Sequence, residues 1–510
     1  MENRMALNSS RRTCVRVAKA LLLSGAIALS AQGTPAAATT TYVPAGADLQ
    51  AVLNVAQPGD VIVLQAGARF VGTFRLPPKP AGPVITIRSS ATLPERRLAP
   101  TDAGLLPTLA TGVVSAVLDG SGSANWRLDG IQFESVPNGE GEVIVLQNST
   151  NIYLDRLVIL AGPNGQKRGI RGNGRQITLT RSYIGNIWRS GQDSQAFCAW
   201  DGAGPYTITN NYLEAASENV MFGGADSPSP DRVPADILVE GNYFNKRPDW
   251  QGQPLAVKNL FELKSAKRIT IRGNLFERNW TDGQTGFGIV LKVANQQGTA
   301  PWSVLEDVLF ENNVVRNTEN GFNILGNDDA QPSGRATRIT IRNNLLVTPG
   351  IAFQLGGEIG TLTIDHNTVD QGYTLMALYT GTVWNAGAPY PRSGTFAVEQ
   401  LTFANNLAWH HQYGVKGDGT ATGSPSLFAY TRTLNWTNNV LAGAVGWTYP
   451  SVTWMPTVAE YRAQFDQDYR LTSSSVYHRI GSDGRDLGVD WTAALPLVPS
   501  PRNLRIAGGS

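Results

Sequence analysis

Thr270-Ile271-Arg272-Gly273-Asn274-Leu275-Phe276, read TIRGNLF, is one of eight copies of a single phrase in this 510-residue chain. The others are TITNNYL around Asn211, LVEGNYF around Asn242, LFENNVV around Asn313, TIRNNLL around Asn344, TIDHNTV around Asn367, TFANNLA around Asn406 and WTNNVL around Asn439. The Asn returns every 23 to 39 residues, and self-similarity at such a period marks a solenoid. Before each Asn the apolar residues alternate (Ile269, Ile271; Ile339, Ile341; Leu362, Ile364), which is the period of a half-buried strand. One strand and one Asn corner per repeat predict a stack of coils with an Asn ladder along the corner. Stacked amides can bond to one another and to the bent backbone, so Asn suits that position. The phrase predicts an all-β, single-stranded parallel solenoid.

Working outward, residues 1–38 carry a basic region (Arg4, Arg11, Arg12, Arg16, Lys19), the apolar run Ala20 to Ala31 and the small-residue site Pro35-Ala36-Ala37-Ala38. That order predicts a secretory signal peptide, and the run is too short for a membrane span. A secreted or periplasmic monomer with no membrane span is expected. The net charge of +2 is too small to imply nucleic acid as a partner. Cys14 leaves with the signal, so Cys198 stands alone and reads as a buried thiol. Only four His are present, His366, His410, His411 and His478, which argues against a His-rich metal site.

Residues 39–90 are expected to form an N-terminal helical cap, with an amphipathic stretch at Asp48 to Ala56, together with the first coils. A Pro- and Leu-rich excursion from Ala91 to Thr111 interrupts them. Coils resume within 91–445, a C-terminal cap is expected over 446–490, and 491–510 reads as a Pro-rich tail or linker.

The PGDVIVL opening and the stacked I-x-I-x-x-N-x-F coils resemble right-handed parallel β-helix proteins of the pectin-lyase-like superfamily, over roughly Tyr42 to Asp490. The phrases NLFELKSAKRITIRGNLFE, VMFGGAD and WSVLEDVLFENNVVRN resemble a large group of bacterial right-handed β-helix proteins, a resemblance that implies the fold and no specific function. The resemblance implies a polysaccharide as substrate or ligand, handled by lyases, hydrolases, epimerases or adhesive proteins.

Between successive Asn strands lies a second strand: CAWDG, VMFGG, FELKS, IVLKV, NILGN and FQLGG. Aligned on Trp200, Phe222, Leu263, Leu291, Leu325 and Leu355, these give an inward column. The outward neighbours are then Asp201, Gly223, Lys264, Lys292, Gly326 and Gly356 on one side, and Ala199, Met221, Glu262, Val290, Ile324 and Gln354 on the other. Coils about 4.8 Å apart bring Lys264 beside Lys292, with Glu262 on the same face. Asp226, Asp328, Asp329 and Glu358 follow in the loops. Carboxylates, two lysines and a bare glycine floor suit an extended glycan.

In uronate β-elimination a base takes the proton α to a carboxylate and a cation stabilises the enolate. Adjacent ammonium groups repel, which favours a neutral amine able to accept that proton. Lys264 is the candidate base and Lys292 the candidate charge stabiliser, or the reverse, with Glu262 and Asp201 as further catalytic candidates. The ELKS and GIVLK pair is similar to the Lys and following-coil Arg of alginate and chondroitin lyases of this fold, with Lys292 in the Arg position. Where the resemblance places acids for Ca²⁺, this chain has Val257 and Asn259. Ca²⁺ is the one cofactor under consideration, with Asp328 and Asp329 as candidate ligands. Hydrolysis would need a carboxylate pair, drawn from Asp201, Asp226, Asp328 and Asp329. A non-catalytic glycan-binding solenoid would use aromatic platforms at Trp188, Trp250, Trp280 and Trp302. Asp226, Gln354, Asp328 and Trp188 are the candidate substrate-binding residues.

Overall fold

The alternation predicted before each Asn is present as strands that pair across the coils rather than within them. Residue 269 faces residue 308, which faces 339, then 362, then 401, all in parallel register. The computed structural model describes residues 37–384 and 392–492. The expected signal segment up to residue 36, and the Pro-rich tail from 493, lie outside the described residues.

Three long parallel sheets result, of 14, 14 and 12 strands among the described residues. Sheet 1 runs from Thr40–Val43 to Thr431–Thr437, sheet 2 from Arg69–Val71 to Thr453–Trp454, and sheet 3 from Phe74–Arg75 to Gly414–Gly417. One coil shows the path: Phe261–Leu263 in sheet 3, Ala266–Arg272 in sheet 1, Leu275–Asn279 in sheet 2, then Phe287–Lys292 back in sheet 3. The chain is a right-handed parallel β-helix.

The Asn corner joins sheet 1 to sheet 2. Asn274 Nδ2 donates to Asn313 Oδ1 at 3.0 Å and to the Val239 carbonyl at 2.9 Å. The same amide-to-amide bond repeats from Asn211 through Asn439 at 3.0–3.2 Å. The residue before each Asn is left-handed: Gly241 at φ 65°, Gly273 at φ 62°, and Asn, or His366 at φ 51°, elsewhere. Gly, Asn and His tolerate that conformation, which explains the small or polar residue at that point of the phrase.

Inside, the inward columns stack identical ring types. Phe244 lies 4.4 Å from Phe276, which lies 5.5 Å from Phe310, and Phe322 lies 5.5 Å from Phe353. At the N-terminal end, Leu49–Val55 is a helix capped by Asp48, with Leu49 and Leu53 buried in the core that also holds Val43, Ile62 and Phe70. The excursion of residues 91–111 lies on the outer face of sheet 2, where Leu98 and Leu106 pack on Val158, and it returns as the sheet-2 strand Thr108–Ala110. Residues 446–491 also lie against sheet 2: Tyr461, Tyr477 and Leu487 cover Leu407 and Val440, and Val489 packs with Leu275, Val314 and Leu345. Both segments thus cover the outer face of sheet 2, and on the outer face of sheet 3 Val145, Cys198, Met221, Glu262 and Val290 are also buried. No helix among the described residues is long and apolar enough to cross a membrane.

Candidate active site

Sheet 3 brings together charged residues from a run of six adjacent strands. The register Val145–Arg171–Cys198–Met221–Glu262–Val290 forms one outward column. Toward the sheet-2 side lies a second column, Glu142–Arg168–Gln195–Glu218. Lys264 and Lys292 follow Leu263 and Leu291, which pair with each other, so the two lysines occupy neighbouring register positions as expected. Gly223 makes room for the first of them. It sits at φ 106°, and a Cβ there would stand 2.6 Å from Lys264 Cβ.

The register corrects two coils of the sequence alignment. Ala199, not Trp200, pairs with inward Phe222, and Ile324, not Leu325, pairs with inward Leu355. A slip of one residue exchanges the two faces of a strand. Trp200 is therefore half-buried on the outer face, with the Arg168 guanidinium 5.5 Å from its ring centre. Asn323, not Ile324, stands in the outward column beside Gln354. The glycine floor is also filled: Gly326 abuts the Gly357 carbonyl, Gly223 abuts Lys264, and Gly356 lies beneath the Tyr379 ring.

A continuous polar network covers this face. Arg168 donates to Glu142 at 2.7 Å and to Gln195 Oε1 at 2.9 Å, and Gln195 donates to Glu218 Oε2 at 2.8 Å. Lys258 Nζ contacts Asp193 at 2.5 Å and lies 3.6 Å from Glu218 Oε1. Asn259 donates to Glu262 Oε2 at 2.7 Å, and Lys264 Nζ lies 3.5 Å from Glu262 Oε1. Glu218 and Glu262 lie below the lysines: their side chains are 0% and 1% exposed, against 13% for Lys264 and 16% for Lys258, whereas Glu142 at 16% is level with Arg168 at 12%.

Burial pushes the Glu218 carboxyl up to about 7, and the nearby charges of Glu262 and Asp193 add to that displacement. Lys258 moves upward as well: burial disfavours its charge, but Glu218 and Asp193 more than offset this. Cys198 lies in the outward column yet is fully buried, and burial pushes its thiol up to about 11, so it offers no nucleophile.

Behind the network stands Lys246, fully buried, whose ammonium donates to the carbonyls of Ala215, Ala216, Ser217 and Asn259 and to Asn219 Oδ1. It fixes the segments that carry Glu218 and Lys258. Burial lowers its own pKa well below the usual lysine range.

Three other predicted residues sit elsewhere, each engaged within the protein. Asp201 accepts from Arg232 Nε and from Gln147 at 2.8 Å, beside a 340 Å³ recess at the sheet 3 to sheet 1 corner. Asp226 accepts from Gln297 N and from Thr299 N and Oγ1 at 2.7–3.1 Å, pinning one loop to another. Asp328 accepts from the backbone of Ala330, Gln331 and Asn295 at 2.6–3.0 Å, as a buried turn residue. Asp329 is exposed. Trp188 packs with Trp250 and Trp280 in a small apolar cluster rather than offering a free platform. Gln354 is where the sequence places it, half-buried on the outer face. Sequence reasoning missed Glu142, Arg168, Gln195, Glu218 and Lys258. Extending the strand alignment two residues upstream reaches Glu218 and three reaches Gln195, whereas Glu142 and Arg168 lie in two earlier coils outside that alignment.

A Ca²⁺ ion takes six to eight oxygen ligands. Glu218 Oε1, Glu262 Oε1 and Asn259 Oδ1 are buried acceptors without a hydrogen-bond donor, but Lys258 and Lys264 already face the two carboxylate oxygens at 3.6 and 3.5 Å. Bound there, a dication would be repelled by both ammonium groups. No three His, Cys, Asp or Glu side chains among the described residues gather to hold a metal. These residues do not fit a Ca²⁺ ion, and the carboxylate of Asp328 is taken up by its own turn.

No protein-family model matches the chain, and no curated protein matches it in sequence. Among solved structures it is similar to a mutant of AlyGC, an alginate lyase of the PL6 family, at a TM-score of 0.55 and 16% identity. That alignment covers 91% of this chain but 58% of the other, so the chain spans little more than half of AlyGC. A GH87 α-1,3-glucanase from Streptomyces thermodiastaticus aligns at a TM-score of 0.48 and 16% identity, covering 83% and 70% of the two chains. A mannuronic acid specific family 6 lyase from human gut microbiota aligns at 0.46 and 12%, covering 83% and 93%. The AlyGC likeness and the three parallel sheets together identify the fold as a right-handed parallel β-helix.

Proposed function

We propose that this protein is exported and cleaves a uronate-containing polysaccharide by β-elimination on the outer face of sheet 3. One observation carries this reading: Arg168, Arg171, Lys258, Lys264 and Lys292 line that face, with Glu142 paired to Arg168 at the same level and Glu218 and Glu262 buried beneath the lysines. The cations span four strand spacings, about 19 Å, a length and charge suited to a polyanionic chain. Lys264 takes the proton from the carbon α to the uronate carboxylate, and Lys292 stabilises the enolate charge, or the two exchange roles. The electron pair left on carbon forms the new double bond as the bond to the glycosidic oxygen breaks, and that oxygen leaves with a proton from an ammonium group. Arg168 and Arg171 hold neighbouring carboxylates. Alginate cleavage by AlyGC is consistent with this chemistry on the same fold.

Hydrolysis by a carboxylate pair is less well supported. Asp201, Asp226 and Asp328 are engaged internally, and Glu218 and Glu262 lie beneath other side chains. The test is ultraviolet absorbance of the unsaturated uronate, with alginate, pectate and a glycosaminoglycan, with and without Ca²⁺. Signal from the wild type and none from a folded Lys264→Ala variant is expected. Silence on every polyuronate would overturn elimination and leave glycan binding without catalysis.

A further inference from the structure

Sheet 3 changes character partway along the helix. Strands from Glu142–Val145 to Phe287–Lys292 carry the charged network, but Asn320–Leu325, Ile351–Gly356 and Thr374–Leu378 contain no charged residue at all. Their outward positions are Asn323, Leu325, Gln354, Gly356 and Ala377. The next residue on, Tyr379, hydrogen-bonds through its backbone to Leu355 and folds its ring back over the sheet.

Gly356 is what admits that ring. A Cβ at Gly356 would lie 2.2–2.5 Å from three Tyr379 ring atoms, so any other residue would lift the ring off the strand. Tyr379 is thus laid flat on the outer face and remains half-buried. The Gln354 amide reaches the Tyr379 hydroxyl and lies 3.5 Å from Asn323 Oδ1. Leu325 pairs with Gly356 and is itself half-buried.

A flat aromatic ring beside two planar amides matches the faces of a neutral sugar, apolar C–H groups on the ring and hydroxyls on the amides, with the nearest charges, Asp329, Lys292 and Lys416, at its margins. We infer that Tyr379, Gln354, Asn323 and Leu325 form a subsite for an uncharged pyranose. Gly356 lies three strand spacings from Lys264, about 14 Å, so one extended chain reaches both. Resting on the reading of sheet 3 as a glycan face, this adds that the substrate carries neutral sugar units on the side of the C-terminal coils, and uronates at the N-terminal coils.

Affinity electrophoresis in gels containing galactomannan, xylan or dextran tests this directly, because it needs no turnover. At least one neutral glycan is expected to retard the wild type. Tyr379→Ala should bind it about tenfold more weakly, Gln354→Ala should bind it more weakly, and Tyr379→Phe should keep most of the retardation. Because retardation is read without turnover, a failure of elimination leaves this result standing. Absence of retardation by all three glycans, or equal retardation of wild type, Tyr379→Ala and Gln354→Ala, would overturn the subsite even if polyuronates are cleaved.

Discussion

Replacing Glu218 by Gln should reshape how the protein's stability depends on pH. The Glu218 side chain is fully buried, and its carboxyl is displaced from 4.5 to about 7. Below the unfolded value both states hold the proton, and the acid is neutral in its buried place. Between that value and about 7 the folded state holds the proton more tightly than the unfolded state, so stability falls as pH rises. Above about 7 the folded protein bears a buried carboxylate, and the whole penalty is present. At about 1.4 kcal/mol per pH unit, the displacement amounts to about 3 kcal/mol. In Glu218→Gln the Gln195 amide can still donate to the remaining side-chain carbonyl, and Lys258 keeps Asp193. Urea unfolding of both proteins at pH 5 and pH 8 is the assay. The variant should gain on the wild type by up to about 3 kcal/mol at pH 8, with a much smaller difference at pH 5. Parallel pH profiles for the two proteins would refute the argument that Glu218 is the buried proton-holding acid of this face.

Two further outcomes follow from the geometry. Asn274→Ala deprives the Asn242 N–H and the Val239 carbonyl of their 2.9 Å partners, which at about 1–3 kcal/mol per buried group should cost about 2–6 kcal/mol, seen in calorimetry as a lower Tm. An unchanged Tm would mean that the ladder is ornamental. Gly223→Ala forces a left-handed residue and a Cβ 2.6 Å from Lys264 Cβ, and should cost about 2–4 kcal/mol. It should also lower uronate product formation at temperatures where circular dichroism shows the variant folded; full activity would place Lys264 outside the reaction.

How much was legible depended on whether a feature is local. The strand before each Asn, the left-handed residue at the corner and the amide that follows lie within seven consecutive positions, so their pattern survives in a single sequence. Lys264, Lys292, Glu262 and Gln354 were also legible, because FELKS, IVLKV and FQLGG share a length and an inward Leu. CAWDG and NILGN do not announce their phase. The loops before them differ in length, and the shift of one residue placed Trp200 and Leu325 inside and hid Asn323.

The sequence by itself determined the solenoid, its Asn corner and the two lysines, because period-two alternation and turn chemistry are properties of neighbours along the chain. Only the tertiary structure decided which residues share the outer face of sheet 3. Glu142, Arg168, Gln195, Glu218 and Lys258 come from successive coils, and they meet through backbone pairing across loops of unequal length. That register is set by packing of the Phe and Leu columns within the helix. It also decided which acids are engaged: Asp201, Asp226 and Asp328 look available in a list of carboxylates, yet each is claimed by donors brought to it by the fold.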